Sequence, residues 1–322
     1  MMHLSSTKGL STDIFKWIFG TITGAILLMF FLRFGFQHLD TTEQLGDQQQ
    51  IHFLNDFLDS LSSAEISHRD LSLQESTALS FSCDVFGSTT YGRNFNKLVF
   101  APRSLHGDYV HVWAQRWSFP FPIAPLFYLT NDRHLTVVVY DDFTQDLVDE
   151  LDVPPEFPVQ FVTKENFNVK ELDASAKGLD SLTVVIVASM DATRLLSQFT
   201  APVTFIVVDP EQSTLRFLTT GQSSFYLGAP LLAGLFFAPQ EYPCLLDLSL
   251  RRLQNVAMVY SHKANLLLQK TTVPVCRDML FEMAQTLATF SRARDNTELH
   301  TIAERLSSQQ RALLQQSCPR VF

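Results

Sequence analysis

The chain has 322 residues, 46% of them hydrophobic and 18% charged, with 28 phenylalanines and a net charge of −9. That balance excludes a disordered polar chain, and its length leaves room for a sizeable core in one or two domains. The acidic charge, with no Lys/Arg run longer than Arg251-Arg252, lacks the basic footprint of a nucleic-acid binder.

Residues 1–13 precede an uncharged apolar run from Trp17 to Leu32. With Ile14 and Phe15 before it and Phe34 to Phe36 after it, the stretch reaches about 23 residues, enough to span a bilayer if Lys16 and Arg33 snorkel. Residues 14–36 are therefore predicted to form a transmembrane helix. Lys8 and Lys16 lie on its N-terminal side. After Arg33 the next Lys or Arg is Arg69, with Asp40, Glu43, Asp47, Asp56, Asp59 and Glu65 in between. This asymmetry predicts residues 1–13 in the cytoplasm and the main body outside the cell membrane. A cleaved secretory signal needs small residues after its core, where Arg33-Phe34-Gly35-Phe36-Gln37 stands instead. Lys8-Gly9-Leu10 resembles a pilin-type processing site, but Lys16 fits poorly in a pilin's assembly helix. Gly20 and Gly24 form a GxxxG pair, which lets two helices approach closely or is the ordinary glycine content of a membrane helix.

Residues 37–77 are predicted to hold a stalk helix and a linker, because Leu45, Ile51, Leu54, Phe57, Leu58 and Leu61 recur at helical spacing up to Ser62. Residues 78–125 read as a β-rich section. Between Tyr109 and Trp117 an aromatic-rich face (Tyr109, His111, Trp113, Gln115, Trp117) alternates with Val110, Val112 and Ala114, and the prolines 120, 122 and 125 are expected to end the section. Residues 126–240 carry β-branched runs at 135–140, 158–162, 182–188 and 203–208, with plausible helices after the first three. Such runs suit strands buried on both faces of a parallel sheet, so the segment is predicted to be an α/β layer with edge strands near Thr214 and Ser223. The uncharged stretch Phe217 to Gln240 is broken by Gly221, Gly228, Pro230, Gly234 and Pro239, and is expected to be buried strand and loop instead of a second span. Residues 241–322 show three helical spacings, Leu245 to Thr271, Val273 to Ala293 and Thr297 to Gln316, predicted to pack antiparallel. The fold class expected is α/β, with an N-terminal transmembrane helix and a C-terminal helical region.

The four cysteines, Cys83, Cys244, Cys276 and Cys318, all fall in the part placed outside the membrane, where an even number suggests two disulfides with three possible connectivities. Cys276 opens the second C-terminal helix and Cys318 follows the third, so an antiparallel hairpin brings them together. Cys244 stands at the far end of a helix with roughly 40 Å of rise. Cys276 with Cys318, leaving Cys83 for Cys244, is the expected pairing, against free buried thiols as the plain alternative.

His106, Asp108 and His111 are metal-type side chains close in sequence, but a strand places them in alternation, so surface loop residues are the simpler reading. Asp141, Asp142, Asp191 and Asp209 stand at the expected C-terminal ends of the α/β strands, where open sheets bind ligands and clustered acids could hold Mg²⁺. Each also suits a cap or turn. No GxGxxG, Walker A loop, GxSxG elbow or CxxC pair is present, so no metal or cofactor is expected and no catalytic residue is assigned.

Several short motifs resemble an uncharacterised family of single-pass membrane-anchored archaeal proteins. They are Gly234 to Phe237, Tyr242-Pro243-Cys244, Arg252-Leu253, Val259-Tyr260, Cys276, Ser317 to Phe322, and Leu98 to Pro102 beside the anchor. The resemblance implies membrane anchoring and paired cysteines, and no activity. The function expected is that of an anchored extracytoplasmic binding or structural component of a surface or secretion-type assembly. Its partners would be the lipid bilayer and other membrane or surface proteins, a second copy of the chain among them, and not nucleic acid. The alternatives are an anchored enzyme using the acidic strand ends and a pilin-like subunit, so the question of enzymatic activity stays open.

Overall fold

The computed structural model describes residues 10–62, 66–72, 78–83, 85–87, 92–94, 96–200 and 202–322. Lys8 and Gly9, which resemble a pilin-type processing site, lie outside them. The chain divides into two units, Met1–Leu54 and Asn55–Phe322.

The first unit is made by helix α1 (Leu10–Ser62), whose last turns belong to the second. The apolar stretch and the amphipathic stretch that follows it are thus one helix. Lys16–Arg33 is the one segment, among the described residues, long and apolar enough to cross a membrane, and none of it is buried. Thr21 Oγ1 donates to the Trp17 carbonyl at 2.8 Å, so this hydroxyl in the apolar stretch is satisfied by its own helix.

The second unit begins with eight strands: β1 (Ile66–Ser72), β2 (Leu79–Phe81), β3 (Val85–Gly87), β4 (Gly92–Asn94), β5 (Leu98–Phe100), β6 (Ser104–Leu105), β7 (Tyr109–Ser118) and β8 (Pro122–Thr130). They form two four-stranded sheets, β1-β7-β8-β5 and β4-β3-β2-β6. Two sequence expectations change here. The linker after the stalk contains β1, which pairs with β7 from Ile66↔Gln115 to Ser72↔Tyr109. The prolines do not end the β-rich section: Pro122 and Pro125 lie inside β8, which runs on to Thr130. Strand β5 covers only Leu126–Tyr128, so β8 is an edge where those prolines lack a donor, and an edge tolerates proline.

The chain continues with β9 (His134–Tyr140), α2 (Gln145–Leu151), β10 (Val159–Thr163), α3 (Val169–Ser175), β11 (Ser181–Ile186), α4 (Ala192–Leu196), β12 (Val203–Asp209), β13 (Thr214–Phe217) and β14 (Ser223–Phe225). The sheet order is β10-β9-β11-β12-β13-β14. The first four strands are parallel and the last two pair antiparallel at the edge. Alternation splits their β-branched residues between two cores. Val137, Val139, Val184 and Ile186 pack with Leu172 of α3 and Ala192 of α4. Val138, Val185, Ile206 and Val208 face the larger core.

That larger core is filled by α5 (Ala229–Phe237), in the stretch expected to be strand and loop. Eight of its nine residues are buried, so it has no polar face and hence no helical period to read. Gly234 is needed there: a Cβ would stand 2.5 Å from the Phe100 ring, which is itself fully buried. Trp117 Nε1 donates to the Leu227 carbonyl at 3.0 Å, and Tyr128 Oη to the Pro230 carbonyl at 2.7 Å, tying the β7–β8 hairpin to the start of α5.

Helices α6 (Tyr242–Lys270), α7 (Pro274–Phe290) and α8 (Asn296–Gln315) complete the unit. Asp295 caps α8 by accepting from Thr297 N and Glu298 N. Ser317 has φ 54° and Cys318 N donates to Leu313 O at 2.9 Å, a closing turn that carries the chain back along α8. The structure contains two disulfides, Cys83–Cys244 and Cys276–Cys318, with Cα separations of 5.8 and 5.5 Å. With the start of α7 bonded to the segment after α8, those two helices run antiparallel.

Candidate functional site

A partly enclosed polar pocket lies at the amino-terminal end of the parallel strands. Register alone builds it. His134 opens β9 opposite Ser181 of β11, and two residues along the same face Thr183 stands between Thr136 of β9 and Thr204 of β12. The next row on that face is Val138, Val185 and Ile206, part of the large core. One sheet face therefore turns from apolar to hydroxyl-bearing at its edge, where it lines a pocket of about 220 Å³.

Phe236, Phe237 and Ala238 at the end of α5, followed by Pro239, Gln240 and Glu241, form the opposite wall. Thr136 Oγ1 donates to the Phe236 carbonyl at 2.7 Å, satisfying a group that the end of the helix leaves without an intrahelical partner. Arg103 and Glu241 pair across the rim at 2.6 Å, and Arg133 pairs with Asp180 at 3.2 Å. The lining charges are thus already matched.

Within the pocket, His134 Nδ1 is 2.7 Å from Ser181 Oγ and Nε2 is 3.2 Å from the Ser104 carbonyl oxygen. A carbonyl can only accept, so Nε2 carries the proton and Nδ1 accepts from the Ser181 hydroxyl. Burial is the main cause that lowers the His134 pKa, helped by His106 and Arg133, against Asp180 and the Ser104 carbonyl, which raise it. The imidazole is neutral at pH 7 and its Nδ1 can take up a proton.

The acids singled out in the sequence sit at the other end of the sheet. Asp141 Oδ2 accepts from Ser189 N at 3.0 Å and Oδ1 from Thr144 Oγ1 at 3.1 Å. The Ser189 bond is the main cause that lowers its pKa. Asp191 caps α4 through Arg194 N at 3.3 Å, and Asp209 accepts from Gln212 N at 3.2 Å. Asp142 lies in the turn after β9. Asp191 and Asp209 thus serve their own loops and Asp141 ties its loop to the one after β11, and among the described residues no group of three or more His, Cys, Asp or Glu could hold a metal.

Of the candidates near β7, His111 is brought to Asp70 and Asp132 instead of Asp108. Its Nδ1 lies 2.7 Å from Asp70 Oδ1 and its Nε2 3.0 Å from Asp132 Oδ1. The largest single cause acting on its pKa is burial, which lowers it, but the hydrogen bonds and charges of both aspartates outweigh this and raise it above 6.5. A raised folded-state pKa gives stability that is complete below the unfolded value, about 6.5, and is lost as pH rises through the folded value. Denaturant titrations of the wild type are expected to show that decline above pH 6.5, and His111→Asn to flatten it. An unchanged slope in the variant would assign the decline to other groups.

The sequence gives no sign of the His134–Ser181 pair, because the two residues are 47 positions apart and meet only through strand register. No family model, curated protein or solved structure matches the chain.

Proposed function

We propose that this chain is a single-pass membrane protein whose body acts outside the cytoplasm as a binding component of a surface or secretion-type assembly. The observation that carries the reading is the Lys16–Arg33 helix, none of it buried, with Trp17 79% and Phe31 66% exposed. Eighteen residues of that kind would expose far more apolar surface to water than soluble proteins do, and a bilayer is the solvent that removes the cost. Two disulfides suit a body in an oxidising compartment, which agrees with the Lys/Arg asymmetry across the helix. The pocket beneath α5 gives such a body a place for a small ligand. Helices α6 and α7 also carry exposed Met258, Val259, Val275 and Phe281, which suit contact with another membrane or surface protein.

Topology labelling tests this. In intact cells a membrane-impermeant thiol reagent is expected to modify a cysteine placed at Asp47 and to leave one placed at Ser5 unmodified, with the chain resisting alkaline extraction. The reverse labelling, or release by alkali, would overturn the reading. A mature chain that begins at Leu10 would favour the pilin-like subunit.

A further inference from the structure

We propose that Ser181 is a nucleophile activated by His134, and that the pocket at the amino-terminal end of β9, β11 and β12 accepts small, uncharged esters.

The argument starts from the fixed tautomer. Because the Ser104 carbonyl holds the proton on Nε2, the only lone pair the ring offers is on Nδ1, 2.7 Å from Ser181 Oγ. The hydroxyl must point its hydrogen at the ring, which leaves the lone pairs of Oγ for an electrophile. Nucleophile, base and a third group that orients the base are thereby in hydrogen-bond contact. When the ring takes up the proton, the bond to the Ser104 carbonyl becomes charge-assisted and the Asp180 carboxylate favours the cation.

The surroundings fit an acyl group. A strand face packed under a helix is ordinarily apolar, yet the rows here are His134 and Ser181, then Thr136, Thr183 and Thr204. Thr136 is committed to the Phe236 carbonyl, so Ser104, Thr183 and Thr204 are the lining hydroxyls left to donate to the oxygen of a reacting carbonyl. Phe236, Phe237, Ala238 and Pro239 provide an apolar wall. The rim and lining ion pairs, Arg103 with Glu241 and Arg133 with Asp180, are internally neutral and offer nothing to an ionic substrate. A volume of about 220 Å³ limits the ligand to a short acyl chain.

The chemistry balances with water alone. Ser181 Oγ bonds to the acyl carbon as its proton passes to His134 Nδ1. The ester C–O bond breaks and the leaving alkoxide takes that proton. Water then attacks the acyl carbon, giving a proton to Nδ1; the bond from that carbon to Ser181 Oγ breaks, Oγ takes the proton back from Nδ1, and the carboxylic acid leaves.

The test uses the full chain in detergent and a fluorophosphonate probe, whose phosphorus captures an activated serine oxygen with loss of fluoride. One adduct per chain is expected, mapped by peptide mass to Ser181, together with slow hydrolysis of p-nitrophenyl acetate. Ser181→Ala should abolish both, and His134→Gln should slow labelling by about 100-fold or more, the usual contribution of a general base. No adduct, an adduct on another residue, or equal labelling in a folded His134→Gln variant would show a structural hydrogen bond only and overturn the proposal. If His134→Gln does not fold, the wild-type adduct position still decides. The proposal does not rest on the membrane reading, since a chain of any topology would label alike.

Discussion

Replacing Cys83 and Cys244 by serine is expected to lower the unfolding free energy by about 5 kcal/mol, since their bond ties residues 161 apart in the unfolded chain. The same chain-entropy relation gives about 4 kcal/mol for Cys276 and Cys318, which are 42 apart. The first pair tests that relation more cleanly. Cys244 is exposed and Cys83 half-buried, so serine there leaves little cavity. Cys276 and Cys318 are only 5% and 7% exposed, so the second change also puts hydroxyls into the core. Guanidinium titrations of the two double variants give the order of the losses. A larger loss for the second pair would mean that native packing, not loop closure, dominates. Hydrogen exchange adds a local readout: the three-residue strands β2 and β3 beside Cys83 should open first, while α7 and α8 keep their protection.

Trp117→Ala should cost about 3–5 kcal/mol from the lost ring, the usual range for a fully buried aromatic. A further cost of about 1–3 kcal/mol is expected where the Leu227 carbonyl loses the indole donor at 3.0 Å. The effect is larger than for a generic core residue because Leu227 leads into Gly228, the cap of α5, and α5 packs in the core shared by the six-stranded sheet and the β1-β7-β8-β5 sheet. Trp117→Phe keeps most of the packing and removes only the donor, so the difference between the two variants isolates the ring. Equal losses would show that the hydrogen bond, and with it the entry angle of α5, carries the whole effect.

Legibility in the sequence followed the range over which each element is determined. The β-branched runs became β9, β11 and β12 because strands buried on both faces need little but continuous Val, Ile and Phe, a local property, and a shorter run of the same kind became the edge strand β10. Helices α6 to α8 were equally readable, each keeping a polar face that gives the period away. Helix α5 was not, since a helix buried all round has no period and its Gly234 looks like a breaker until Phe100 is seen against it. Strand β8 was hidden by Pro122 and Pro125, tolerated only because β5 is too short to cover them. The pocket was least legible of all. Its threonines count as ordinary β-branched residues in a strand, and only the register across three strands sets their hydroxyls side by side.

The Cys83–Cys244 bond also decides where mechanical tension goes. Pulling on the amino-terminal helix loads the backbone as far as Cys83, and from there the shortest covalent route to α6 passes through two sulfur atoms instead of 161 residues. Every strand and helix from β3 to α5, including the whole parallel sheet and the pocket, lies on the slack branch of that loop. The Cys276–Cys318 bond bypasses α7 and α8 in the same way, so covalent tension would run through the segment before Cys83 and through α6, while the α/β layer and the last two helices lie off that path.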